Sequence, residues 1–173
     1  MSQVDEPKYQ VIENKKPIEV RQYQGFLVAE VETSGPRTEA ISDGFKKLAT
    51  YIFKDNSAQE KMSMTAPVLQ KKSEDANSWK TSFVMPAIYS MKTLPMPLDG
   101  SIQINEVLPK KFAVIQFSGP ATDANIHKNL ELLNEFIDAH KIPTMGKPIY
   151  AFYNPPWTLP FLRRNEIMLE IQP

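Results

Sequence analysis

The residues able to do acid, base or metal chemistry are few and widely spaced. His127 and His140 are the two histidines of this 173-residue chain. His127 follows Ile126 on a predicted helix and is expected to point sideways or outwards. His140 falls at that helix's end, where a cation meets the carbonyl dipoles favourably. Neither has a partner at the spacing of a zinc or catalytic motif, so both read as exposed helical histidines. Glu60, Glu106 and Glu166 form an acid/base pair only if folding brings two of them together. Glu166 follows Arg163-Arg164-Asn165, a setting that favours a structural salt bridge. Met62 and Met64 carry thioethers, but methionines two apart on a strand are far more often core filler. There is no Gly-x-Ser-x-Gly elbow, phosphate loop, dinucleotide fingerprint or His-Glu-x-x-His. The chain has no cysteine, which excludes disulfides, thiolate metal sites and cysteine nucleophiles.

One segment stands out for a different chemistry. Asn154 to Leu162, sequence NPPWTLPFL, places Trp157, Leu159, Phe161 and Leu162 on a proline-stiffened connector. A loop this apolar either packs as a lid on its own domain or lines a ligand site.

The elements that position these residues follow from periodicity. Tyr9 to Tyr23 reads as two strands around an Asn14-to-Pro17 turn, and Phe26 to Glu32 as a third. A first helix is predicted from about Pro36 to Phe53, with Ile41, Phe45, Leu48 and Ile52 as its buried stripe. Met62 to Lys71 and Trp79 to Met85 are strand candidates, the former with Met62, Met64, Ala66 and Val68 on one face. The Met91-to-Gly100 segment looks like a link. Ile102 to Leu108 and Phe112 to Phe117 are strands. A second helix spans about Asp123 to His140, with Ile126, Leu130, Leu133 and Ile137 as its stripe. Pro148 to Tyr153 and Glu166 to Ile171 complete the sheet.

A short repeat divides the chain. Ser34-Gly35-Pro36-Arg37-Thr38-Glu39-Ala40 returns as Ser118-Gly119-Pro120-Ala121-Thr122-Asp123-Ala124, just ahead of each helix. Proline suits a helix start because its missing N–H would have no helical partner there. Each half, about 8–90 and 100–173, reads as a β-β-α-β-β unit in a pseudo-twofold duplication. The fold class expected is α+β, an antiparallel sheet of eight or nine strands curled towards a barrel with two flanking helices, in a single domain. Basic and acidic residues balance at twenty each, which argues against a nucleic-acid partner. No stretch approaches a membrane span. The first ten residues show no apolar run, so a cytoplasmic location is expected. Oligomeric state is not legible.

Several segments together resemble the SOUL haem-binding protein family. They are Tyr9 to Tyr23 with Ile18-Glu19-Val20-Arg21-Gln22-Tyr23; Ala40-Ile41, Gly44-Phe45, Leu48 and Tyr51-Ile52; Lys61-Met62-Ser63-Met64-Thr65-Ala66-Pro67-Val68; Phe83-Val84-Met85-Pro86; and Tyr153-Asn154-Pro155-Pro156 followed by Arg163-Arg164-Asn165-Glu166-Ile167. The resemblance implies a distorted antiparallel β-barrel, an architecture that also resembles effector-binding domains of the gyrase-inhibitor type. It further implies haem or another tetrapyrrole as ligand, in an apolar cleft between the first helix and the late proline-rich loop. The site residues expected on that basis are Ile41, Ser42, Phe45, Lys46 and Ala49 on the helix, with Trp157, Leu159, Phe161 and Arg163 on the loop. Phe45, Ala49, Trp157, Leu159 and Phe161 would cover the macrocycle, and Lys46 or Arg163 would steer its carboxylates. Where some members carry a histidine proposed as axial ligand this chain has Gln22, which is not a usual haem ligand. Ser42 and Thr50 stand where some members place basic residues.

Three functions compete on this reading. The first is non-enzymatic tetrapyrrole binding, as carrier or buffer. The second is a small-molecule effector module without tetrapyrrole preference. The third is an enzyme, for instance a hydrolase, which ranks last and would gain weight from a cleft with Glu106 or Glu166 within reach of a tyrosine such as Tyr153.

Overall fold

The computed structural model describes residues 4–75 and 77–173; the first three of the ten N-terminal residues read for a leader lie outside them. Its elements in chain order are β1 (Tyr9–Lys15), β2 (Ile18–Tyr23), β3 (Phe26–Ser34), α1 (Arg37–Ile52), β4 (Val68–Lys72), β5 (Ser78–Val84), β6 (Ile102–Val107), β7 (Lys110–Phe117), α2 (Asp123–Ala139), β8 (Thr144–Phe152) and β9 (Asn165–Ile171). Among the described residues, nine strands and two α-helices make the expected α+β class. They fall into two compact units, one of Gly25–Leu108 with the chain up to Pro7, the other of Lys8–Gln24 with Pro109–Pro173.

In the first unit the strand order is β4-β5-β3-β6, and each neighbouring pair is antiparallel. Helix α1 packs Leu48, Tyr51 and Ile52 onto Ala29, Val31, Phe83 and Ile102, all nearly or wholly buried. The face that α1 turns to the sheet runs through Arg37, Ala40, Gly44, Leu48 and Tyr51. The predicted stripe is therefore corrected by about one position, since Phe45 stays 39% exposed and Ile41 half-buried. Gly44 is the reason. A side chain there would put its Cβ 2.7 Å from Thr81 Oγ1, so only glycine lets the helix approach β5 this closely.

The predicted strand at Met62 to Lys71 is also corrected: β4 begins at Val68. Residues 62–67 give their backbone bonds elsewhere, Met62 N–H to the Ile52 carbonyl at the end of α1 and Ala66 N–H to Asp5. Pro67 has no N–H to offer a ladder. Met62 is buried while Met64 is 42% exposed, so the two do not share a face.

In the second unit the order is β1-β2-β7-β9-β8. Helix α2 buries Ile126, Leu133 and Ile137 against Ile18, Val20, Ala113, Ile115, Ile167 and Leu169, with Leu130 partly buried beside them. Here the predicted stripe holds. Side chains buried as fully as Leu48 and Leu133 typically cost about 2–5 kcal/mol to truncate.

Matching β3 with β7, β4 with β8, β5 with β9 and β6 with β2 brings the two strand orders into correspondence. In chain order β2 precedes β3 yet pairs with β7, and β6 precedes β7 yet pairs with β3. The repeated Ser-Gly-Pro makes the same turn twice, with Gly35 at φ +104° and Gly119 at φ +101°. Each glycine N–H then bonds a carbonyl ahead of β5 or β9: Gly35 to Asn77 at 2.8 Å, Gly119 to Pro160 at 2.9 Å. The helix starts differ. Pro36 directly precedes the first residue of α1, whereas Thr122 caps α2, its hydroxyl accepting from Asn125 N–H at 3.2 Å.

Candidate functional site: two apolar surfaces and a buried ion network

The outer side of α1 carries an apolar ridge. Ile41, Phe45 and Ala49 are four residues apart, and Phe53, 57% exposed, continues the spacing at the helix end. Phe45 is held at an angle by the edge of Phe83, ring centroids 5.2 Å apart. Ser42 and Lys46 are exposed beside the ridge. The Thr50 hydroxyl donates to the Lys46 carbonyl at 2.9 Å, so it serves its own helix. Lys61 Nζ lies 5.1 Å from the centre of the Phe53 ring. Phe53 and Lys61 are additions to the predicted set. The four-residue spacing signalled Phe53, but Lys61 arrives through the backbone turn after α1 and had no sequence signal.

The second apolar surface is the loop between β8 and β9. Trp157 is 83% exposed and Phe161 70%, with Leu159 and Leu162 also more than half exposed. The loop thus holds its apolar side chains outwards instead of packing as a lid. Its backbone is well bonded nonetheless. Thr158 N–H reaches the Pro155 carbonyl at 3.0 Å, Leu162 N–H the Leu159 carbonyl at 2.9 Å, and Arg164 N–H the Asn154 side chain. Arg163, expected to steer ligand carboxylates, gives Nε–H to the Thr158 carbonyl and Nη2–H to the Pro156 carbonyl, both at 2.9 Å.

A buried ion network occupies the second unit. Arg21 grips Glu166 with two parallel bonds of 2.8 Å, and the side chains are 2% and 0% exposed. Arg21 also bonds Glu19 at 2.7 Å and the Tyr23 hydroxyl at 2.9 Å, and it stacks 4.2 Å from the Tyr9 ring. Arg164 adds a bond to Glu166 at 3.2 Å and lies 3.8 Å over Tyr153. Burial opposes the Arg21 charge, but the hydrogen bonds and attraction of Glu166 outweigh it and raise the guanidinium further above its ordinary value. Burial pushes the Tyr23 phenol up to about 12. Tyr153 is raised further, first by burial and then by the nearby Glu166 charge. Both phenols are therefore neutral near neutral pH, and that of Tyr23 accepts from Arg21.

This arrangement meets part of what an enzyme would need, since the Glu166 charge lies close enough to Tyr153 to raise its phenol. However, both carboxylate oxygens of Glu166 are held by Arg21 in a fully buried position, so no edge is left for a substrate. Glu106 is exposed on β6. The predicted salt bridge of Glu166 is its observed role.

The histidines are exposed as expected: His127 pairs with Glu131 at 3.1 Å, and His140 bonds the Phe136 carbonyl at 2.8 Å. Gln22 donates to the Tyr23 carbonyl at 3.2 Å. Among the described residues no three His, Cys, Asp or Glu side chains are grouped to hold a metal. The residues named for the ridge and for the loop include no His, Cys, Met or Tyr.

Fold and surfaces define a small α+β protein whose exposed chemistry is apolar contact beside a few cations. Residues 4–170 match the family described as SOUL heme-binding protein, and the chain belongs to that family. It is 28% identical over 155 residues to heme-binding protein 1 of Xenopus laevis, covering 86% of this chain and 80% of that protein. Among solved structures it is similar to the EcmrR C-terminal domain, at 11% identity and TM-score 0.66 over 95% of this chain and 98% of that one. A hydrolase from Listeria innocua aligns at 10% identity and TM-score 0.64, covering 93% and 94%. SAV2435 bound to tetraphenylphosphonium aligns at 12% identity and TM-score 0.53, covering 95% and 94%. At such identities the solved structures share the fold alone. Among the described residues no helix is long and apolar enough to cross a membrane.

Proposed function

We propose that the protein binds haem or another tetrapyrrole without acting chemically on it, as a carrier or buffer. Trp157, Leu159 and Phe161 supply one apolar contact surface, and Ile41, Phe45 and Ala49 a second, with Ser42 and Lys46 at its margin. Lys46 is the cation best placed to meet a ligand carboxylate. The observation that carries this reading is the outward display of Trp157 and Phe161 on a loop whose backbone is tied at Thr158, Leu162 and Arg164. Folding gains nothing from that exposure, whereas covering the rings with a planar ligand recovers roughly 25 cal/mol per Å² of apolar area removed from water. Family membership and the name of the amphibian relative point the same way.

Titrating haemin into the protein tests it. The Soret band is expected to shift and saturate near one equivalent. Trp157→Ala should weaken binding about tenfold, equivalent to about 1.4 kcal/mol. A spectrum that stays that of free haemin refutes the proposal. Combining Trp157→Ala with Phe45→Ala asks whether both surfaces serve one ligand, through the departure from additivity.

A second reading, an effector module without tetrapyrrole preference, is favoured by one observation: the residues named for the two surfaces include no His, Cys, Met or Tyr, the usual side-chain ligands of haem iron. Thermal stabilisation by varied hydrophobic amphiphiles, with none by porphyrins, would select this reading.

A further inference from the structure

We propose that Arg163 is the positioning residue for Trp157, and that it acts by bracing the loop and not by pairing with ligand carboxylates. Its Nε–H and Nη2–H bond the carbonyls of Thr158 and Pro156, the residues on either side of Trp157. One planar guanidinium therefore holds the peptide group leading into the tryptophan and the one leaving Thr158 at once. A lysine ammonium, a point donor on a flexible stem, does not reproduce a fork with two fixed directions.

The rest of the loop is anchored around this brace. Prolines 155, 156 and 160 have fixed φ and no N–H to satisfy. The repeated Ser-Gly-Pro turn holds the far end, with Gly119 N–H on the Pro160 carbonyl at 2.9 Å and Asn165 Nδ2–H on the Gly119 carbonyl at 3.0 Å. An exposed Trp on a slack loop would lose its freedom on meeting a ligand; on a braced loop that loss is already made in folding. The four large apolar side chains are presented to solvent because the backbone under them cannot collapse inward.

The affinity arm of the test rests on the proposed tetrapyrrole binding; a second arm does not. Arg163→Ala and Arg163→Lys are titrated with haemin and with its neutral dimethyl ester. Both variants are expected to bind both ligands about tenfold more weakly than the parent, with the same loss for acid and ester. Full haemin affinity in Arg163→Lys, or a loss confined to the free acid, would show a charge reader and overturn the proposal. Hydrogen exchange is followed in parallel without ligand. Amides of Thr158 and Leu162 should exchange at least tenfold faster in both variants, while β7 and β9 stay protected and report an intact fold. Unchanged exchange at Thr158 and Leu162 would also overturn it. If the parent binds neither porphyrin, the tetrapyrrole reading falls and the exchange arm still decides the role of Arg163.

Discussion

Replacing Glu166 with glutamine removes one charge from a chain of four, Glu19, Arg21, Glu166 and Arg164, whose central pair is buried, while keeping shape and size. As folded the chain is neutral, and its central pair is held by two bonds of 2.8 Å with neither side chain more than 2% exposed. Breaking a buried pair from one side typically costs about 3–5 kcal/mol, because the remaining charge is left uncompensated. Glu19 still contacts Arg21 at 2.7 Å, which places the expected loss near the lower end, about 3 kcal/mol. That is a large share of the 5–15 kcal/mol typical of a folded domain. Urea unfolding at neutral pH, followed by tryptophan fluorescence, measures it as a shift in midpoint at constant slope. Arg21→Met should cost at least as much, since Glu166 then keeps only the more exposed Arg164 and Tyr153. The double variant restores neutrality and should fall well short of the sum of the singles. A loss under about 1 kcal/mol for Glu166→Gln, or additivity within about 0.5 kcal/mol, would refute the coupling.

Two further outcomes follow from the packing. Gly44→Ala gains about 1 kcal/mol of helix propensity, but the new Cβ would lie 2.7 Å from Thr81 Oγ1 and 2.8 Å from Thr81 Cβ. Overpacking of this kind costs about 1–3 kcal/mol and Thr81 sits on a strand, so a lowered melting temperature is expected; an unchanged or higher one would show that α1 can move. The Tyr23 and Tyr51 phenols are pushed up to about 12 from an ordinary value near 10, chiefly by burial. Above pH 10 the unfolded chain sheds these protons and the folded chain keeps them, so their stabilisation is complete below about pH 10 and is lost as pH rises through 12. Urea midpoints between pH 8 and 11 should fall, and Tyr51→Phe should flatten the slope; a flat parent profile would contradict the burial argument.

The two helices were legible because apolar spacing and a Ser-Gly-Pro start are local signals. In α2 the stripe held residue for residue. In α1 it slipped, because a glycine scores as no hydrophobe yet marks the closest contact with the sheet. The 62–67 segment was misread as strand because alternation looks the same whether the backbone joins a ladder or bonds to a helix end and the N-terminal segment. For the site, the loop's apolar content was evident, and so was Phe45, but the brace of Arg163 was not. From sequence a cation beside an apolar loop is simply a cation, and only the folded backbone directs its fork at the two carbonyls flanking Trp157.

By itself the sequence determined the α+β class, the two helices, the exposed histidines and the apolar loop, each a matter of local pattern or residue chemistry. Only the tertiary structure decided which strands pair, with β2 going to β7 and β6 to β3, and that Arg21 and Glu166, 145 residues apart, close on each other in the dry interior. Local pattern says which face of a strand is apolar. It does not say which partner neutralises a charge on that face, because that depends on contacts the chain makes only once it is folded.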